Sequence, residues 1–208
     1  MNEIIKWLVC TSVTLCAAQA SFAVTVRIYH GQNGEALLID VGEDRSFLIA
    51  GGAIPRGADA AGDCFAKATL KLKKSPNYFE GDLDPVRNEI MDVSGEDVAG
   101  KGVGVYVLLD RIRVGNVETD GVCADGIYFS GNYREILSSD VRYKTAFLYF
   151  MRLANQDASH LRVEGDIKGA IKELKPFVES YKRDWRKNNE DKKTIDDAVS
   201  NYKDLTRK

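Results

Sequence analysis

From Gly102 to Val114 the chain reads Gly-Val-Gly-Val-Tyr-Val-Leu-Leu-Asp-Arg-Ile-Arg-Val, its longest run rich in β-branched residues. Val103, Val105, Val107 and Leu109 share one face at a period of two, and Tyr106 and Leu108 share the other. A strand apolar on both faces has to be covered on both, which places it at the centre of a sheet. The alternation slips after Leu109, where Asp110 and Arg111 precede Ile112 and Val114, so a β-bulge or bend is expected there.

Other strands surround this one. Val24, Val26 and Ile28 point one way and Thr25, Arg27 and Tyr29 the other, and Asn33-Gly34 supplies a tight turn into Glu35–Val41. A second turn at Gly42–Arg45 leads into Ser46–Ala50, giving a meander. Gly51–Asp63 reads as loop. Ala66–Lys73 alternates apolar residues with Lys or Thr, as an antiparallel strand with one wet face or an edge strand does. Ser75–Gly102 gives no assignable pattern, Gly115–Gly126 reads as loop, and Ile127–Phe129 as a short strand.

From Ser130 the period changes from two to 3.6. Ser138-Ser139-Asp140 offers N-caps for a helix to about Ala154, with Tyr143, Phe147, Phe150, Met151 and Ala154 on one face. A second helix starts near Asp166 and carries Ile167, Ile171, Leu174, Val178, Tyr181 and Trp185, with Pro176 expected to kink or split it. The charged tail repeats the pattern at Ile195, Ala198 or Val199, Tyr202 and Leu205, with Thr194 and Asp197 spaced as a capping box. The expected class is α+β: an N-terminal antiparallel β-meander or sheet packed by C-terminal helices. The β-rich part spans residues 24–130, the helical part 131–208, and 24–208 forms one domain.

Residues 1–23 read as a cleaved signal peptide. One Lys precedes an apolar run from Trp7 to Ala18, and small residues suit cleavage after Ala20 or Ala23. The apolar core is too short to span a bilayer, and no later stretch is long enough. The expected product is therefore exported, periplasmic or secreted. Cys64 and Cys123 remain after cleavage, and in an oxidising compartment such a pair becomes a disulfide. The formal net charge of −2 gives no hint of nucleic acid and no strong pull toward anionic membranes.

Reactive constellations are scarce. Gly95–Gly102 fits a phosphate-binding loop except at its last position, where Gly102 replaces Ser or Thr, and a strand rather than a helix follows. Val26–Gly52, with Leu37-Leu38-Ile39-Asp40 and the closing Gly51-Gly52, resembles the opening strands of metallo-β-lactamase-fold hydrolases over fewer than about thirty residues. That family's H-x-H-x-D-H metal motif has no counterpart, since His30 and His160 are the only histidines. Glu80, Asp82 and Asp84 fail the EF-hand pattern at Pro85 and Val86. No metal or cofactor is expected.

The leading expectation is an exported binding protein of inhibitor, immunity or envelope-assembly type, with a protein partner. Its binding residues would be Tyr181, Arg183, Trp185 and Arg186 in the C-terminal region. The competing expectation is a cysteine-dependent hydrolase or transferase using Cys64 with His160 or His30 as base.

Overall fold

The computed structural model describes residues 24–51, 63–124 and 126–207. The proposed signal peptide and almost all of the Gly51–Asp63 loop lie outside the described residues. The fold is α+β, an eight-stranded antiparallel barrel followed by three helices. The barrel strands are β1 (Val24–Gly31), β2 (Gly34–Val41), β3 (Asp44–Gly51), β4 (Cys64–Leu72), β5 (Tyr78–Asp82), β8 (Gly102–Val107), β9 (Arg111–Val117) and β10 (Gly131–Ile136). They close in the order β1-β10-β9-β8-β5-β4-β3-β2, and a separate two-stranded ribbon pairs β6 (Val86–Arg87) with β7 (Asp92–Val93). A four-residue helix, α1 (Gly95–Val98), is closed by a capping box between Ser94 and Asp97.

The meander is present as the pattern predicts, and its parity decides the two cores. Ile28, Leu37, Ile39, Leu48 and Phe65 point outward to the helices, while Tyr29, Leu38, Phe47 and Ile49 point into the barrel. Eight strands make a barrel just wide enough for its own side chains to fill. Val103, Val105, Ile112, Val114, Phe129 and Tyr133 complete that filling. Closing the β1–β2 hairpin needs Gly34, whose φ of 130° suits glycine and whose Cβ would collide with the Ala50 carbonyl.

The Gly102–Val114 run differs from the expected single central strand. It is a hairpin: Leu108 and Leu109 form its tip, Leu109 is 97% exposed, and only the face carrying Val103, Val105 and Val107 is covered. Ser75–Gly102, which carries no readable alternation, supplies β5 and the β6–β7 ribbon. Gly131–Ile136 is a barrel strand rather than the start of the helical part, so the change of grammar comes after Ile136. Ile127–Phe129 is not a strand; Ile127 and Phe129 are buried as a plug over one barrel end.

Helix α2 (Val141–Val163) starts at the N-cap Asp140 and runs well past Ala154, which puts His160 inside the helix. Helix α3 (Ile167–Ser180) starts at the N-cap Asp166 and carries Pro176 without interruption; the break comes at Tyr181, before a 3₁₀ turn, Arg183–Lys187. Helix α4 (Asn189–Thr206) is capped by Asn188, earlier than the Thr194–Asp197 spacing suggests. Ile195, Ala198 and Leu205 of α4 are fully enclosed against α2 and α3. No described helix is long and apolar enough to cross a membrane.

A Cys64–Cys123 disulfide, with Cα atoms 5.6 Å apart, staples β4 to the plug segment. It closes a loop with a sequence separation of 59. Replacing both cysteines with Ala is expected to lower stability by about 4 kcal/mol on the chain-entropy model. Urea melts of wild type and variant check this, and peptide mapping without reductant should recover Cys64 linked to Cys123.

Candidate functional site

The residues singled out from sequence do not converge. The sulfur of Cys64 is bonded to Cys123, so no thiol stands at that position. His30 lies on the outer face of β1 with Nδ1 3.8 Å from Glu35, and His160 is exposed on α2. The C-terminal binding set is also redistributed. Trp185 is only 7% exposed and packs edge-on against Phe147 at 5.1 Å, with Tyr143 at 6.2 Å. Tyr181 is half-buried under the Arg186 guanidinium, which pairs with Asp196 at 3.0 Å. Only Arg183 of the four is exposed. The aromatic stripe belongs to the helical core.

Two features are not legible in the sequence. One is a buried ion cluster. Lys67 of β4 is buried, and its Nζ donates to Asp157 of α2 at 2.5 Å and to Glu173 of α3 at 2.9 Å. Asp157 also accepts from the Arg87 amide at 3.0 Å, and the Asp84 amide donates to the Lys67 carbonyl at 2.8 Å. Burial alone would lower the Lys67 pKa, but the Glu173 and Asp157 carboxylates outweigh it and hold the ammonium above its ordinary range. An amine nucleophile needs the opposite shift. The cluster therefore acts as a clamp between barrel and helices. Burial raises Glu173 and Asp84, with Lys67 pulling both back.

The other feature is an open groove of about 580 Å³ on the barrel wall that the helices leave bare. On β5 and β8, Tyr78 stands opposite Tyr106, Glu80 opposite Gly104, and Asp82 opposite Gly102. The glycines leave the floor without side chains. A Cβ on Gly104 would meet the Tyr78 hydroxyl at 2.6 Å, so the aromatic wall needs glycine beneath it. Lys71 and Lys73 stand at one side, and Asn116 of β9 and Glu118 just after it at the other. The Tyr78 hydroxyl donates to Glu80 at 2.7 Å, and the Tyr78 ring packs tilted against Tyr106 with centroids 4.5 Å apart.

The Tyr78 bond, aided by Lys73, lowers the Glu80 pKa, while the same bond raises Tyr78 to about 12. A general acid needs a carboxyl raised toward neutrality, and Glu80 is moved the other way. What the groove offers is fixed charge, hydrogen-bonding groups and one aromatic wall. No cluster of metal-ligating side chains occurs among the described residues. No family model, curated protein or solved structure matches this chain.

The barrel interior, by contrast, is packed. Its side chains fill it, and at the end away from the disulfide the Arg27–Asp40–Arg45 pairs, at 3.1 and 2.5 Å, lie above the buried Tyr29. Among the described residues the Tyr29 hydroxyl has no hydrogen-bond partner, and burial pushes its pKa up to about 12.

Proposed function

We propose that this protein acts by binding a protein partner through the bare barrel wall, as an exported inhibitor, immunity-type or envelope-assembly protein, and that it is not a catalyst. The observation that carries this reading is the glycine-floored groove, which is open along its length and lined by cations on one side and carboxylates and an amide on the other. Such a trough suits an extended, charged segment of a partner polypeptide. The packed interior argues against enclosure of a small ligand, and the disulfide argues against the alternative cysteine-based hydrolase or transferase.

The test is affinity capture from cell-envelope extracts with three baits: wild type, Asp82→Lys/Asn116→Trp, and a control with Lys168→Glu/Lys193→Glu on the exposed helical surface. Asp82, Asn116 and both lysines are exposed, so all three proteins should fold. A partner held by wild type and control, and bound at least tenfold more weakly by the groove variant, is the expected result. Equal retention by all three baits would remove the groove from the interface.

A further inference from the structure

The end of the barrel away from the disulfide has a surface unlike the rest of the molecule. Eight large apolar side chains are exposed among the described residues, and six of them gather at this end. Leu108 and Leu109 form the β8–β9 tip, Leu72 ends β4, and Leu137 and Val141 flank the turn from β10 into α2, with Tyr106 beside them. Leu109 is 97% exposed, Val141 79%, Leu137 67% and Leu72 63%. The amide of Glu135 donates to the Asp110 carbonyl at 3.0 Å, which holds the Leu108–Leu109 tip beside Leu137.

The charge around these tips runs against that of the whole chain. Segments 71–74, 106–113 and 134–142 carry seven cations and three acids, in a chain of formal net charge −2. Asp110 and Asp140 are each paired with a neighbouring arginine, Arg111 and Arg142. The β2–β3 turn carries Glu43 and Asp44 at this same end; it lies across the barrel from β8 and β9 but beside the end of β4, which pairs with β3. The apolar tips and the cations therefore run round half of the rim, from the end of β4 through the β8–β9 tip to the end of β10, with the acidic turn at its β4 edge.

We propose that this rim docks on an anionic lipid surface, with the leucine tips entering the headgroup–acyl boundary and the arginines and lysines facing lipid phosphates. Isolated tips projecting from separate turns fit a bilayer, which takes up apolar side chains without a matching pocket; a protein partner needs shape complementarity. The cationic collar complements anionic headgroups directly. This site adjoins the groove and shares Tyr106, Lys71 and Lys73 with it, but Leu108, Leu109, Arg113 and Arg134 lie outside the groove lining, so either reading can fail without the other.

The test uses full-length protein and vesicles of phosphatidylcholine alone or with about one-third phosphatidylglycerol, any contribution of residues 1–23 being common to all variants. Wild type should co-sediment with the anionic vesicles, and lipid should slow amide exchange at 107–111 and 137–141 but not around Val163. Leu108→Asp/Leu109→Asp should weaken partitioning at least tenfold while circular dichroism shows an unchanged fold. Arg113→Glu/Arg134→Glu should weaken binding to anionic vesicles by a similar factor. The groove variant Asp82→Lys/Asn116→Trp should bind vesicles as wild type does. Absence of exchange protection at the tips, equal partitioning of the leucine variant, or equal binding to neutral vesicles would each overturn the proposal. So would a wild-type dimer that the leucine variant converts to monomer without any vesicle binding, since the tips would then meet a second copy of the chain.

Discussion

Lys67→Met is expected to destabilise the protein by about 3 to 5 kcal/mol at pH 7, the cost of leaving buried carboxylates without their cation. In a chain of this size that lowers the melting temperature by roughly 10 °C. Lys67 is the one cation within hydrogen-bonding distance of both Asp157 and Glu173 among the described residues. The methionine stem replaces the aliphatic part of the lysine, so the loss reports the charge rather than a cavity.

The pH dependence separates this account from simple packing damage. Glu173 and Asp84 already have raised pKa values in the folded protein. A raised folded value means that the group's favourable contribution is complete below its unfolded pKa and disappears as pH rises through the folded pKa. Lys67 restrains that rise, and removing it moves both carboxyls further upward. The gap between wild type and variant should therefore be widest near neutrality and should narrow as pH falls toward about 4. Urea melts at pH 7, 5.5 and 4.5 measure it. A gap independent of pH would show that lost packing, not charge, is responsible.

Deleting residues 183–208 is expected to dismantle the helical layer. The cut removes Trp185, Ile195, Ala198 and Leu205, all buried, and uncovers Phe147 and Phe177, which meet at 5.5 Å beneath them. Each large apolar side chain contributes about 1.5 to 3 kcal/mol by burial, before any cavity cost, and the uncovered surface of α2 and α3 adds to that. The sum is on the order of the 5 to 15 kcal/mol that holds a domain folded. Loss of near-ultraviolet circular dichroism from Trp185 and its neighbours would be uninformative once Trp185 is gone. The readouts are the cooperativity of the urea transition and dye binding to exposed apolar surface. A sharp transition near the wild-type midpoint would mean that α4 is dispensable. This result would also separate the tail's two roles: the sequence places expected binding residues at its start, whereas the structure makes it the third wall of the helical core.

The positions that sequence reads well are those where one periodicity acts alone. Val24–Ile28 and Glu35–Val41 alternate cleanly because each strand has two different surroundings, the barrel interior and the helical layer. Asp140 and Asp166 are legible as helix starts because a cap is a local hydrogen bond, here to the amides of Arg142 and Gly169. The Cys64–Cys123 bond follows from there being only two cysteines beyond the proposed leader. The hairpin at Leu108–Leu109 is hidden because leucines at an exposed tip look like leucines in a core. Strand β5 is hidden because Tyr78–Asp82 carries glycine and acids where it faces the groove.

Lys67 shows the limit most clearly. On the strand Cys64–Leu72 it alternates with apolar residues as a solvent-facing lysine would, and so do Lys71 and Lys73. Lys71 and Lys73 do face solvent, whereas Lys67 lies under α2 and α3 against carboxylates 90 and 106 residues away in sequence. The sequence by itself determined the alternation, the caps, the class of fold and the pairing of the two cysteines, because each depends on near neighbours or on composition. Closure of the barrel, the buried lysine, the bare wall with its groove and the gathering of leucines and cations at one rim were decided only by tertiary structure. They depend on which distant segments meet, and a net charge or a local period averages that information away.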